Sequence, residues 1–218
     1  MHFGTNNNRS RYTMLDHLDD YVQVSPVIEE KDLGVTFEPN LKFDKHIGNC
    51  VNKAQRNLAM IRRSFDHMDK DMFLVLYKSI VRPLLEYCTP VWSPYLKKDV
   101  CKIEIIQRCA TKLVPIVKDL SYENRLKTLG LPTLEYRCDR YDMIQVYKVA
   151  LHDIDDIKWQ NMFTLSANQT RGHHLKLAKK RCNTTQRLNT FSMRFVDHWN
   201  DLSEGTEENW NEKKFVPT

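Results

Sequence analysis

Between Asp44 and Phe65 the apolar residues Ile47, Val51, Ala54, Leu58, Ile61 and Phe65 recur three or four positions apart. No other feature limits the fold of this chain as strongly. The spacing places all six on one stripe of an α-helix, and Asp44 stands where an N-cap belongs. The cations Lys45, Lys53, Arg56 and Arg63 lie largely off that stripe. A helix with one apolar and one basic side must lay the first on a core and offer the second to water or to a ligand.

The following segments repeat the theme. Asp69 caps a second predicted helix containing Phe73, Leu76, Tyr77, Ile80, Leu84 and Leu85, with Pro83 expected to kink it. Pro90 and Pro94 mark a corner holding Trp92 and Tyr95, and Trp92 is expected in the core. A third helix begins near Asp99, turns Ile103, Ile106, Ala110 and Leu113 inward, and stops near Pro115. Ser121 caps a short helix that ends at Gly130, and Pro132 opens a longer one with Leu134, Cys138, Tyr141, Ile144 or Gln145, and Lys148 or Val149 on its inner side. Residues 153–189 are polar and basic and read as loop. A last helix carries Phe191, Phe195, Trp199 and Leu202.

The N-terminal segment reads as β. Residues 11–15 and 21–24 form two short strands around a turn at 17–20, and Lys31 to Phe37 forms a third, with Gly34 at a bulge or close approach. So small a β unit is marginal by itself.

Charge is the main functional clue. The net charge is +5, and it is unevenly placed. Lys42, Lys45, Lys53, Arg56, Arg62 and Arg63 have only Asp44 among them. Arg171, Lys176, Lys179, Lys180, Arg181, Arg187 and Arg194 have no acid among them. Clustered cations point to a polyanion; a solvated face is the competing reading.

Other chemistries find little support. The six cysteines form no Cys-x-x-Cys pair and read as reduced, buried thiols of an intracellular protein. His173-His174 with Cys182 lacks the paired partner of a zinc site. No phosphate loop or hydrolase elbow is present. The acidic pairs Asp19-Asp20 and Asp155-Asp156 read as a hairpin turn and a solvated loop. No apolar run approaches the roughly 20 residues that cross a bilayer.

Several short pieces, in order, carry a family resemblance. They are His2-Phe3-Gly4, Lys31-Asp32-Leu33-Gly34-Val35, Leu41-Lys42-Phe43, His46-Ile47, the run from Ile80 to Tyr87, and Pro90-Val91-Trp92-Ser93-Pro94. Further on come the run from Ile105 to Lys112, Tyr122-Glu123-Asn124-Arg125-Leu126, Leu129 to Leu134, Arg171-Gly172-His173, and Phe191-Ser192 to Trp199-Asn200. The chain resembles the C-terminal, post-palm and thumb-like region of reverse transcriptases of non-LTR retrotransposons, jockey-like clade. The resemblance implies the end of a palm followed by a helical thumb that holds a template-primer duplex. The paired catalytic aspartates of such enzymes would lie upstream, and the Mg²⁺ they bind would belong to that missing palm. Residues 203–218 depart from the family's usual ending.

The expectation is therefore a mainly α protein, an irregular helical bundle with a small N-terminal β-hairpin unit left over from a polymerase palm. Its parts are a β segment at 1–40, a helical thumb-like domain at 41–152, a basic loop and C-terminal helix at 153–202, and an acidic disordered tail at 203–218. The expected function is non-catalytic binding of RNA or an RNA–DNA duplex through Lys45, Lys53, Arg56, Arg63, Lys179, Lys180 and Arg181, with no catalytic residue, metal site, cofactor or membrane partner. The alternatives are a helical protein-interaction module and a non-functional relic of a mobile element.

Overall fold

The computed structural model describes residues 1–4, 7–151, 162–166 and 176–202. It is mainly helical, with two small antiparallel strand pairs at the N-terminus. Asp155-Asp156, Trp159, Arg171, His173-His174, Trp210 and the acidic stretch 203–218 lie outside the described residues. The chain divides into two compact units. One comprises Met1–Cys88 with Trp92–Glu135, the other Thr89–Val91 with the residues from Tyr136 onward.

In the first unit, strand β1 (Tyr12–Leu15) pairs with β2 (Tyr21–Val24), Tyr12 opposite Val24 and Leu15 opposite Tyr21. Asp16 shapes the turn, its Oδ1 accepting from the N–H groups of Leu18 (2.7 Å) and Asp20 (3.2 Å). The single strand expected over Lys31 to Phe37 is instead a second hairpin, β3 (Glu30–Asp32) with β4 (Val35–Phe37). Leu33 (φ 44°) and Gly34 (φ 86°) form the turn, both in the left-handed region that suits a two-residue hairpin loop. Tyr87 Oη donates to Leu33 O at 2.9 Å. At φ 86° the turn favours glycine by conformation, and a Cβ there would also crowd the Tyr87 ring, 3.3 Å from Cε1.

Helix α1 (Asp44–Ser64) lies on the core through Ile47, Ala54, Leu58 and Ile61, with Val51 partly buried. Two details differ from the sequence expectation. The cap position is Phe43, itself left-handed at φ 58° and without a side-chain cap bond. Asp44 is the first helical residue, and its carboxylate takes a 2.7 Å bond from Lys98 Nζ, which holds its pKa below the usual range. At the other end the helix stops at Ser64; Phe65 turns extended and is exposed.

His46, in the first turn of α1, ties the helix to β4. Its Nδ1 accepts the Thr36 N–H at 3.2 Å, and its ring meets Trp92 edge-on at 5.0 Å. Burial pushes its pKa below the ordinary 6.5, and Lys53 adds to the shift. The imidazole is neutral in the fold, so the unfolded chain binds more protons once pH falls below about 6.5. Stability from this contact is full above that value and declines as pH drops from it toward the lower folded-state pKa. Urea midpoints measured from pH 8 to 5 should show this loss in the native chain. A His46→Gln variant, which keeps an acceptor but cannot titrate, should show a smaller decline over the same interval.

Helix α2 (Lys70–Leu76) is capped by Asp69, which accepts from Met72 N–H at 2.7 Å. It runs through a π turn (Tyr77–Val81) into α3 (Arg82–Glu86). The π turn absorbs Pro83, which has no N–H to give to the Ser79 carbonyl. Arg82 N–H instead reaches back five residues to Tyr77 O, and Asn57 Nδ2 on α1 donates to Ile80 O at 3.3 Å. Short helix α4 (Thr89–Trp92) ends at Trp92, which is buried as expected and donates from Nε1 to Tyr87 O at 2.7 Å.

Helix α5 (Lys97–Thr111) buries Ile103, Ile106 and Ala110 as expected, but also Glu104 and Gln107. These polar side chains are bonded to their surroundings. Gln107 Oε1 accepts from Tyr77 Oη at 2.6 Å, and its Nε2 donates to Tyr122 Oη (3.1 Å) and Pro132 O (2.9 Å). Tyr122 Oη also donates to Glu104, whose other oxygen accepts the Leu134 N–H at 3.0 Å. Burial drives both phenols above their usual pKa. Helix α6 (Tyr122–Leu129) begins at the expected Ser121 cap and closes at Gly130 in the left-handed region, φ 66°.

Helix α7 (Leu134–Leu151) buries Cys138, Asp142, Met143, Val146 and Val149; Tyr141 and Ile144, expected inward, are half-buried. In the second unit Met143, Val146 and Val149 pack with Phe163, Leu177, Phe195, Val196 and Trp199. The expected loop at 153–189 contains a helical turn, α8 (Thr185–Leu188), capped by Thr184. The expected final helix is two, α9 (Phe191–Arg194) and α10 (Val196–Asn200), interrupted at Phe195. Asn200 clasps Leu177, accepting its N–H at 2.8 Å and donating to its carbonyl at 2.9 Å.

Arg194 is a polar anchor of this unit. It chelates buried Asp142 through Nε (2.6 Å) and Nη2 (2.7 Å) and also donates to Pro90 O (2.8 Å) and Asn189 O (3.2 Å). Burial raises the Asp142 pKa, and the guanidinium pulls it back. The six cysteines form no disulfide; Cys138 is buried, whereas Cys101 and Cys109, expected inside, are exposed on α5. Among the described residues no helix is long and apolar enough to cross a membrane.

Candidate nucleic-acid interface

The outer side of α1 is built by the same periodicity that builds its core side. Burying Ile47, Ala54, Leu58 and Ile61 leaves Lys53, Arg56, Arg62 and Arg63 exposed to water. Arg56 and Arg63 are seven residues apart, two helical turns, and so share one face about 10 Å apart along the axis. No acid occurs from Lys45 through Phe65, so nothing on this helix after Asp44 neutralises them. Exposed amides Asn49, Asn52 and Gln55 lie among the cations. Sequence reasoning overlooked them, since it searched for charge; amides can bond phosphate and sugar oxygens beside the cations.

Not every expected cation is free. Lys45 Nζ pairs with Glu29 at 2.5 Å, and that bond raises its pKa. In the second unit Lys179 pairs with Asp197. Lys180 and Arg181 are exposed in a stretch outside helix and strand. Arg194, counted with the acid-free cations by sequence, is committed to Asp142. The cations of α1 that make no ion pair among the described residues thus form a face on a helix whose opposite side is fixed by the core, whereas Lys180 and Arg181 sit in irregular backbone.

Of the two acidic pairs, Asp19-Asp20 lies in the β1–β2 turn, with Asp19 at φ 59°. No group of three or more metal-ligating side chains occurs among the described residues.

No family model matches the chain, and no solved structure matches it. A curated protein of Caenorhabditis elegans, itself described only as uncharacterized, is 26% identical over 115 residues, covering 49% of this chain and 55% of that protein. The chain therefore spans about half the length of the curated relative it matches.

Proposed function

We propose that this chain is a non-catalytic nucleic-acid-binding piece, resembling the thumb-like region that follows the palm in non-LTR retrotransposon reverse transcriptases. The observation that carries the reading is the exposed, acid-free cationic face of α1, with Lys53, Arg56 and Arg63 on a helix anchored through its other side. A rigid row of cations can follow a phosphate backbone at low entropic cost. The contact between the Leu33-Gly34 turn and Tyr87 also supports it, because it joins two of the sequence pieces on which the family resemblance rests. The chain binds and does not polymerise by itself. Asp19-Asp20 occupies a hairpin turn, where it cannot take the place of paired carboxylates at a palm strand end.

Phosphate contacts carry no base information, so affinity should be nearly independent of sequence. It should fall as salt rises, with a log–log slope of about 0.9 per phosphate neutralised on duplex DNA. Fluorescence anisotropy with labelled RNA–DNA and DNA duplexes across a salt series measures both. Lys53→Glu with Arg56→Glu should weaken binding and flatten the slope by about two units, one per cation removed. An affinity indifferent to salt and to both reversals would favour the protein-interaction reading, in which these charges only solvate the helix.

A further inference from the structure

The β1–β2 ribbon carries an apolar face that stays open to water among the described residues, with the His2 ring stacked on Tyr12 at 6.2 Å at its edge. Its register puts Tyr12, Met14, Val22 and Val24 on one side, Tyr12 opposite Val24 and Met14 opposite Val22. All four are open to water, at 63%, 64%, 51% and 49% exposure. Two strands alone hardly sustain such a surface in water. The ends of the ribbon are oppositely charged. Arg9 and Arg11 stand exposed at the open end, and Asp19 and Asp20 stand exposed at the turn, with Asp16 beside them. None of these five makes a salt bridge among the described residues.

We infer that this ribbon is a self-association surface, on which two copies of the chain pack apolar face to apolar face and tip to base. The charges select the occupant. A two-fold axis across the strands lays each acidic turn over the other copy's basic open end while the four apolar side chains of each face meet. The ribbon is complementary to itself reversed, and the two-fold closes the assembly at a dimer. A phosphate backbone would meet the carboxylates of the turn, which argues against nucleic acid as the occupant. Four side chains a copy make a small interface, so the dimer belongs to the weak, concentration-dependent class. Its charge-dependent part weakens as the Debye length shrinks from about 30 Å at 0.01 M salt to about 3 Å at 1 M.

Analytical ultracentrifugation of the full chain tests this with a charge swap. One variant, Asp16→Asn with Asp19→Asn and Asp20→Lys, leaves both ends basic, and asparagine at 16 keeps the Oδ1 that holds the turn. The other, Arg9→Asp with Arg11→Glu, leaves both ends acidic. Asp16 is half-buried and the other four positions are exposed, so thermal midpoints should match the native chain, and this is checked first. The native chain should approach twice its monomer mass as concentration rises. Each variant alone should remain monomeric, and an equimolar mixture should regain the doubled mass, because only the mixed pair restores both opposite-charge contacts. A native chain that stays monomeric at every concentration overturns the inference. So does association of either variant alone, or a mixture that fails to associate. Loss of duplex affinity in the Arg9 and Arg11 variant, with mass behaviour unchanged, would instead assign the ribbon to nucleic acid.

Discussion

Replacing Arg194 by alanine should destabilise the second unit by about 3–5 kcal/mol, the usual cost of stripping one partner from a buried ion pair. Asp142 is 2% exposed, and both its oxygens are taken by the guanidinium. The variant would leave that carboxylate without its counter-charge and strand the carbonyls of Pro90 and Asn189. Reduced protection of the α9 and α10 amides against hydrogen exchange should locate the loss. Asp142→Ala should behave similarly. The double change Asp142→Leu with Arg194→Met should recover much of the stability, since removing both charges also removes the desolvation cost. A loss under about 1 kcal/mol for either single variant would mean the pair is effectively solvated.

Leu58→Ala should cost about 2–5 kcal/mol, because it deletes buried volume from a packed core. Leu58 lies between Ala54 and Ile61 on the inner stripe of α1, all three in the main core cluster. Lys53→Ala, on the same helix but exposed, should stay within about 0.5 kcal/mol. Urea midpoints of the two variants read the orientation of α1 directly. Equal shifts would place the basic face and the core face wrongly, and with them the proposed interface.

The parts of this structure that local periodicity encodes were legible in the sequence. α1 could be read because its stripe repeats over five turns, and α6 because Ser121 and Gly130 bracket it with ordinary cap chemistry. The turn at Leu33-Gly34 was missed because the usual hairpin signal is Asn-Gly or Asp-Gly, and a leucine in the left-handed region gives no such cue. The π turn was missed because its support, Asn57, comes from another helix. Asp142 displaced the apolar pattern of α7 by occupying an inward position, and its partner Arg194 lies too far along the chain for local reading. The candidate interface divides the same way. The exposure of Lys53, Arg56 and Arg63 follows from helical spacing. The neutralisation of Lys45 by Glu29 and of Lys179 by Asp197 depends on partners brought near only by folding.

The contact between Gly34 and Tyr87 bears on inheritance. A side chain at 34 would strain the turn and press on the tyrosine ring, whereas loss of the ring removes the hydroxyl bonded to Leu33. On the proposed retrotransposon reading, copies whose folded product is under selection should therefore retain or change these two distant codons together. In copies decaying as genomic debris they should mutate independently. Comparing sibling copies within one genome at these two codons would separate a maintained protein from a relic without any protein being made.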